Sequence, residues 1–178
     1  MWDVVFGLTN EPNVDYFEIL DIRPPKLSLD SSDLQNRFYK LSMEQHPDLK
    51  KDASLDVQQR SAELNKAYRT LRDPWLRAAY IVEQNKLPPS KEIPTDLTAM
   101  YFEIQESDDR AALAEFQSVI VNRMKQTSEK LLRVFEQFDS TSAEGRHEVI
   151  VSLQRLCNEN AYVKSMAAGV EKRLKGAS

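Results

Sequence analysis

The sequence predicts an all-α fold, with short helices in its first half and an antiparallel three-helix bundle in its second. Three observations carry this. Apolar residues recur at spacings of three and four along most of the chain, the period of a half-buried helix. Glycine is scarce, four in 178 residues, and no stretch alternates apolar and polar residues as a strand with one wet face would. Prolines gather at Pro24-Pro25, Pro47, Pro74 and Pro88 to Pro94, and cut the periodic segments into pieces of helix length.

Composition narrows the function classes. The chain is 41% hydrophobic and 29% charged, an ordinary mixture for a packed core. Its net charge of -4 argues against a nucleic-acid surface, which needs clustered cations to neutralise phosphates. Cys157 is the only cysteine, so an internal disulfide and a Cys-rich metal site are excluded. No run approaches the ~20 apolar residues of a membrane span. Met1 to Gly7 has no basic residue ahead of its short apolar run, so it does not read as a signal peptide. A cytoplasmic protein without membrane partners is expected.

The elements follow in order. Residues 1–14 form an N-terminal extension in which Trp2, Val4, Val5 and Phe6 are apolar. A short helix is expected over residues 15–20, with Tyr16, Phe17, Ile19 and Leu20 as its apolar content. Asp30 is the expected N-cap of the next, with Asp33 at capping-box spacing. Leu34, Phe38 and Leu41 fall on one face, and the helix ends near Gln45 because Pro47 disfavours helix before it. The third helix carries Val57, Ser61, Leu64, Ala67, Tyr68 and Leu71 on one stripe. Asp73-Pro74 ends it, and Pro74 suits the first turn of a fourth, with Leu76, Ala79 and Tyr80 expected inward.

Residues 85–94 hold three prolines and read as a stiff linker and domain boundary. Beyond it, Thr95 is the expected cap of a helix with Leu97, Met100, Tyr101 and Ile104 on its core face. Asp108-Asp109 opens a helix of roughly 28 residues, about 42 Å long. Its stripe is Leu113, Phe116, Ile120, Met124, Thr127, Leu131, Val134 and Phe138. Thr141 and Glu144 have capping-box spacing ahead of a last helix, striped by Ile150, Leu153, Cys157, Val163, Ala167, Val170 and Leu174. Three long amphipathic helices bury their stripes economically only against one another.

The chemistry-bearing motif is His46-Pro47-Asp48, between two amphipathic helices. Pro47 fixes the exit from the helix, and His46 and Asp48 are placed to project from a polar stretch. Its neighbours are Asp15-Tyr16-Phe17-Glu18-Ile19-Leu20, Arg37-Phe38-Tyr39-Lys40-Leu41 and Leu64 to Pro74. With that spacing, residues 15–84 resemble a J domain. The resemblance implies docking on a DnaK-type ATPase chaperone and stimulation of its ATP hydrolysis, with His46, Pro47 and Asp48 as the essential contacts. Arg37 and Lys40 match the family's basic second helix, with Lys50 and Lys51 nearby; such charges would steer an acidic partner surface.

A J domain, a proline-bearing linker and a helical domain at 95–178 together resemble the HscB family (Jac1-like proteins in mitochondria). That resemblance implies delivery of an IscU-type iron–sulfur scaffold to an HscA-type chaperone. It places scaffold contacts at Leu97, Phe102, Glu103 and Glu106, with Tyr162 a candidate on the last helix. The alternative is a J-domain co-chaperone for a different client. No enzyme activity and no cofactor are expected, because no nucleotide-binding loop occurs and the two histidines, His46 and His147, are far apart.

Overall fold

The structure, a computed structural model, describes residues 14–44, 55–90 and 92–176, and every described regular element is helical. The described chain forms two compact units. The first comprises the residues up to Pro25 together with Leu29–Arg72; the second comprises Lys26–Ser28 and Asp73 onward.

In the first unit, α1 spans Tyr16–Ile19. A helix this short cannot nucleate alone, so both its ends are closed by hydrogen bonds. The Asp15 carboxylate accepts from the Phe17 amide at 2.9 Å. Asp21 adopts φ 53°, which lets the Ile22 amide reach back to the Phe17 carbonyl and the Asp21 amide to that of Glu18. Phe17 and Leu20 are buried.

Helix α2 spans Ser31–Glu44 and α3 spans Leu55–Arg72. Asp30 caps α2 as expected, accepting from the amides of Ser32 and Asp33 at 2.9 Å each. These bonds, led by one from the Ser32 hydroxyl, hold its carboxyl below the usual range. Asp33 pairs with Arg37 one turn on. Leu34 is buried on α2, and Leu64, Ala67 and Leu71 on α3. Phe38 stacks on Tyr68 with ring centroids 4.2 Å apart, a direct contact between the two helices.

The second unit is built on a long hairpin. Helix α6, Arg110–Ser140, and helix α7, Arg146–Gly176, have 31 residues each, about 46 Å of helix. Asp109 caps α6 through the Ala111 amide. The two are antiparallel: Arg173 near the end of α7 pairs with Asp108 before the start of α6, and Arg146 opening α7 donates to the Thr141 carbonyl after α6. The expected capping box at 141–144 does not form. The Thr141 hydroxyl donates back to Gln137, and a 3-10 turn at Ala143–Gly145 joins the helices instead.

A shorter helix covers each end of the hairpin. Helix α4, Pro74–Gln84, packs against α7. Asp73 caps it through the amides of Trp75 and Leu76. Its inward face is Arg77, Ala78, Tyr80 and Ile81, whereas Leu76, expected inward, is 49% exposed. Arg77 takes the inward position because its guanidinium has partners there: it donates to the Leu27 carbonyl and lies 5.4 Å from the Phe135 ring centre. Burial lowers its pKa to about 10, opposed by the charges of Asp73 and Asp139, so it stays protonated at neutral pH. Both oxygens of Asp139 accept backbone amides, from Leu27 at 2.7 Å and Ser28 at 2.8 Å, which fixes the Lys26–Ser28 segment in this unit.

Helix α5, Thr95–Glu106, covers the other end. Pro94 occupies the N-cap position and Thr95 lies one residue inside, so the expected Thr95 cap is absent. The core here joins Leu97 and Ile104 of α5, Leu113 and Ile120 of α6, and Val163, Met166 and Val170 of α7. Along the rest of the seam Phe135, rather than the half-buried Val134, takes the innermost position on α6. The proline-bearing stretch is strapped along α7: Gln154 donates to the Pro88 carbonyl, Asn158 to that of Ser90, and Arg155 pairs with Glu92.

One buried charge joins all three helices. Glu159 of α7, 7% exposed, accepts from Arg123 of α6 at 2.6 Å, and the same guanidinium reaches Asp96 of α5 at 3.1 Å. Removing the cation alone leaves a buried carboxylate unpaired. Arg123→Met should therefore destabilise the protein by about 3–5 kcal/mol, measured by urea unfolding. Arg123→Met with Glu159→Leu should recover much of that loss, and a double variant no more stable than the single would contradict this account.

Candidate functional site

Each unit holds candidate docking residues. In the first, His46, Pro47, Asp48, Lys50 and Lys51 lie outside the described residues, as does the N-terminal extension up to Asn13. In sequence the tripeptide falls between Glu44, the last residue of α2, and Leu55, the first of α3. The two described cations of this set differ in their commitments. Lys40 is exposed and has no carboxylate partner among the described residues. Arg37 is half-buried, pairs with Asp33 at 2.9 Å and donates to the Asp21 carbonyl at 2.6 Å. It thus ties α2 to the turn after α1, and only part of its charge is presented outward.

Tyr39 and Met43 are exposed on α2 and were not singled out from the sequence. They follow Gln35 at i, i+4 and i+8, and Gln35 donates to the Tyr39 hydroxyl. The signal was available: they sit one residue off the Leu34–Phe38 stripe, which turns them outward.

In the second unit the face lies on α5 and α7. Phe102 is 59% exposed, and Glu103 and Glu106 are exposed beside it. Leu97 does not belong to this face. At 1% exposed it is a core residue packed with Ile104, Ile120 and Val163, because its position on α5 shares the Ile104 stripe. Tyr162 of α7 is half-buried with its ring 5.7 Å from Tyr101, and Tyr101 meets Phe102 edge-on at 5.9 Å. Phe102, Tyr101 and Tyr162 therefore form one aromatic row from α5 to α7. Sequence reasoning assigned Tyr101 wholly to the core; it also bridges the row. Desolvation, then the neighbouring Tyr101, raises the Tyr162 pKa against a hydrogen bond with Thr98, so the phenol is neutral at physiological pH. Arg173 donates to the carbonyls of Gln105 and Ser107, satisfying the end of α5 beside the acidic pair.

Such a face suits protein recognition: a rigid aromatic anchor beside carboxylates, on a helix held from beneath by core contacts. Among the described residues no cluster of three His, Cys, Asp or Glu side chains is arranged to hold a metal ion. No described helix is long and apolar enough to cross a membrane. His147 is exposed in the first turn of α7.

Comparison with known proteins agrees with this organisation. The DnaJ domain family matches residues 15–80. The chain therefore carries a J domain, the module of chaperone partners. Beyond that module it is similar to the co-chaperone protein HscB homolog of Vibrio vulnificus, 29% identical over 88% of this chain and 100% of that one. The iron-sulfur cluster co-chaperone protein HscB of Homo sapiens is 24% identical over 86% of this chain and 69% of its own length. Among solved structures, human HscB matches with a TM-score of 0.64, at 21% identity over 91% of this chain and 83% of that one. HscB from Vibrio cholerae matches with a TM-score of 0.58, at 23% identity over 93% and 100%. The chain thus combines a DnaJ domain with similarity to HscB co-chaperones along most of its length, and it has the all-α fold of the solved HscB structures.

Cys157 supplies a test of the packing of α7. Burial pushes its thiol from the ordinary 9.0 up to about 12, although the residue keeps some accessible surface. The thiolate is the nucleophile, and at pH 8 burial keeps the Cys157 thiol protonated and unreactive. Iodoacetamide should label the native protein orders of magnitude more slowly than the urea-unfolded chain. The sign for stability follows. This group's contribution is complete below pH 9 and is lost as pH rises from there toward 12, because only the unfolded thiol ionises freely in that window. Equal labelling rates in the two states would refute the buried thiol.

Proposed function

We propose that this protein binds an IscU-type iron–sulfur scaffold through its second unit, delivers it to an HscA/DnaK-type chaperone, and stimulates that chaperone's ATPase through His46, Pro47 and Asp48. The observation that carries the reading is similarity to HscB co-chaperones across both units, not across the J domain alone. A general J protein needs no second helical unit with an aromatic–acidic face. In this reading the hydrolytic chemistry belongs to the partner. His46 and Asp48 act as contacts, and Lys40, with Lys50 and Lys51, steers the approach of an acidic surface, so docking weakens with salt. Arg37 contributes chiefly by holding α2 in place. A cytoplasmic location, the compartment expected from composition, belongs to the same reading.

Scaffold recognition is assigned to Phe102, Glu103, Glu106 and Tyr162. Leu97 supports α5 from the core without touching the scaffold. This explains why the face is built on α5: the aromatic is exposed, while Leu97 and Ile104 fix the helix that carries it.

Steady-state ATPase of the cognate DnaK-type chaperone tests the first half. Wild-type protein should stimulate turnover, His46→Gln should lose nearly all of that effect, and added scaffold should increase stimulation by the wild type only. Undiminished stimulation by His46→Gln would overturn the assignment.

Pull-down with purified scaffold tests the second half. Phe102→Ala and Glu103→Lys should each weaken binding about ten-fold or more, while Phe102→Ala shifts stability by less than about 0.5 kcal/mol because its ring is exposed. No wild-type binding at micromolar concentration would leave the J domain intact and point to a different client.

A further inference from the structure

The seat that α5 occupies on the α6–α7 hairpin is longer than α5. The Asp96–Arg123–Glu159 contact marks the first turn of α5. Ahead of it the chain runs along α7, where Gln154, Arg155 and Asn158 hold Pro88, Glu92 and Ser90. Beyond Arg123 lies the stretch of α6 and α7 that runs toward the end where the hairpin closes. There Lys130, Arg133 and Val134 stand opposite Ser152, Arg155 and Leu156 across a shallow groove of about 350 Å³.

The groove has an apolar floor and a basic rim. Its floor is Val134, half-buried, and Leu156, 8% exposed. Lys130 has no carboxylate partner among the described residues. Arg133 reaches Glu129 only at 3.9 Å, with both side chains exposed. Arg155 spends one N–H on Glu92 at 3.1 Å, also in an exposed pair. Exposed pairs of this kind are worth little and exchange readily for a better acceptor. Three weakly committed cations thus surround apolar surface in a chain whose net charge is -4.

We propose that this groove docks an acidic segment of a partner protein that carries an apolar anchor between its carboxylates. The anchor lies on Val134 and Leu156, and the carboxylates meet Lys130, Arg133 and Arg155, where the arginine forks donate to them in bidentate geometry. The volume sits at the small end of the ~300–1,000 Å³ range of ligand sites and holds one or two side chains. A nucleic acid would meet only three cations here, in a chain whose net charge is -4. The groove shares no residue with the Phe102 face, so the proposal stands whether or not that face binds a scaffold.

The test is an NMR titration of the ¹⁵N-labelled full chain at low salt. The probes are a short synthetic peptide of alternating Glu-pair and Leu residues, the same peptide with Ser for Leu, and phosphatidylserine vesicles. Saturable shifts for the Glu–Leu peptide, centred on residues 130–134 and 152–156, are expected. Affinity should fall about ten-fold or more in Lys130→Glu with Arg133→Glu, and stay unchanged in Lys164→Glu, an exposed cation elsewhere on α7. An unaltered melting temperature of the double variant establishes that it folds, and Arg155→Gln, at an exposed position, provides an independent loss of binding if it does not. Absence of saturable shifts, shifts centred elsewhere, equal binding of the Glu–Ser peptide, or response to vesicles alone would each overturn the proposal.

Discussion

The apolar seam between α6 and α7 is the contact on which the second unit depends. Leu113, Ile120, Leu131, Phe135 and Phe138 from one helix meet Val149, Ile150, Leu153, Leu156, Val163, Met166 and Val170 from the other. Fully burying side chains of this kind is worth about 1.5–3 kcal/mol each relative to exposure, which outweighs the ordering of two long helices only if both ends stay covered. A two-helix pair leaves apolar flanks. Helix α4 closes one end and α5 the other, and each face that could meet a partner is set by how far its covering helix extends.

Polar side chains fix the register that apolar packing alone would leave loose. Glu159 accepts from Arg123, and Arg123 reaches Asp96, so one guanidinium aligns α5, α6 and α7 at a single level. Asp139 and Arg77 act similarly at the other end through backbone amides and a carbonyl of Lys26–Ser28. Buried charges do not by themselves add stability, but a misaligned helix would strand them, and that cost disfavours slipped arrangements. The aromatic row from Phe102 to Tyr162 inherits its geometry from this alignment, since it spans α5 and α7.

The first unit follows a different logic. Its first helix has only four residues, so local closure matters more there. Asp15 and Asp30 cap α1 and α2, Asp21 in the left-handed region ends α1, and the Phe38–Tyr68 stack joins α2 to α3. Arg37 belongs to this closure: its bonds to Asp33 and the Asp21 carbonyl make it as much a brace as a surface charge. Lys40, three residues along, carries no such duty.

The helical class, the Asp15, Asp30, Asp73 and Asp109 helix starts, and the outward position of Phe102, Glu103 and Glu106 were legible in the sequence. Each depends on contacts within a few residues or on the 3.6-residue period. What the period could not assign was which residue of a broad stripe lies innermost. Leu97 fits both a core stripe and a docking face by spacing, and only the facing Ile120 and Val163 decide for the core. Leu76 reads as inward by type, yet Arg77 takes that place because Phe135 and the Leu27 carbonyl, distant in sequence, receive its guanidinium. Prolines at 88–94 read as a spacer, and three α7 side chains make them a strap. Sequence by itself determined the helices, their local caps and the His-Pro-Asp motif, because those are properties of adjacent residues. Tertiary structure decided the seam partners, the aromatic row and the basic groove, because those join side chains whose separation along the chain carries no information about their separation in space.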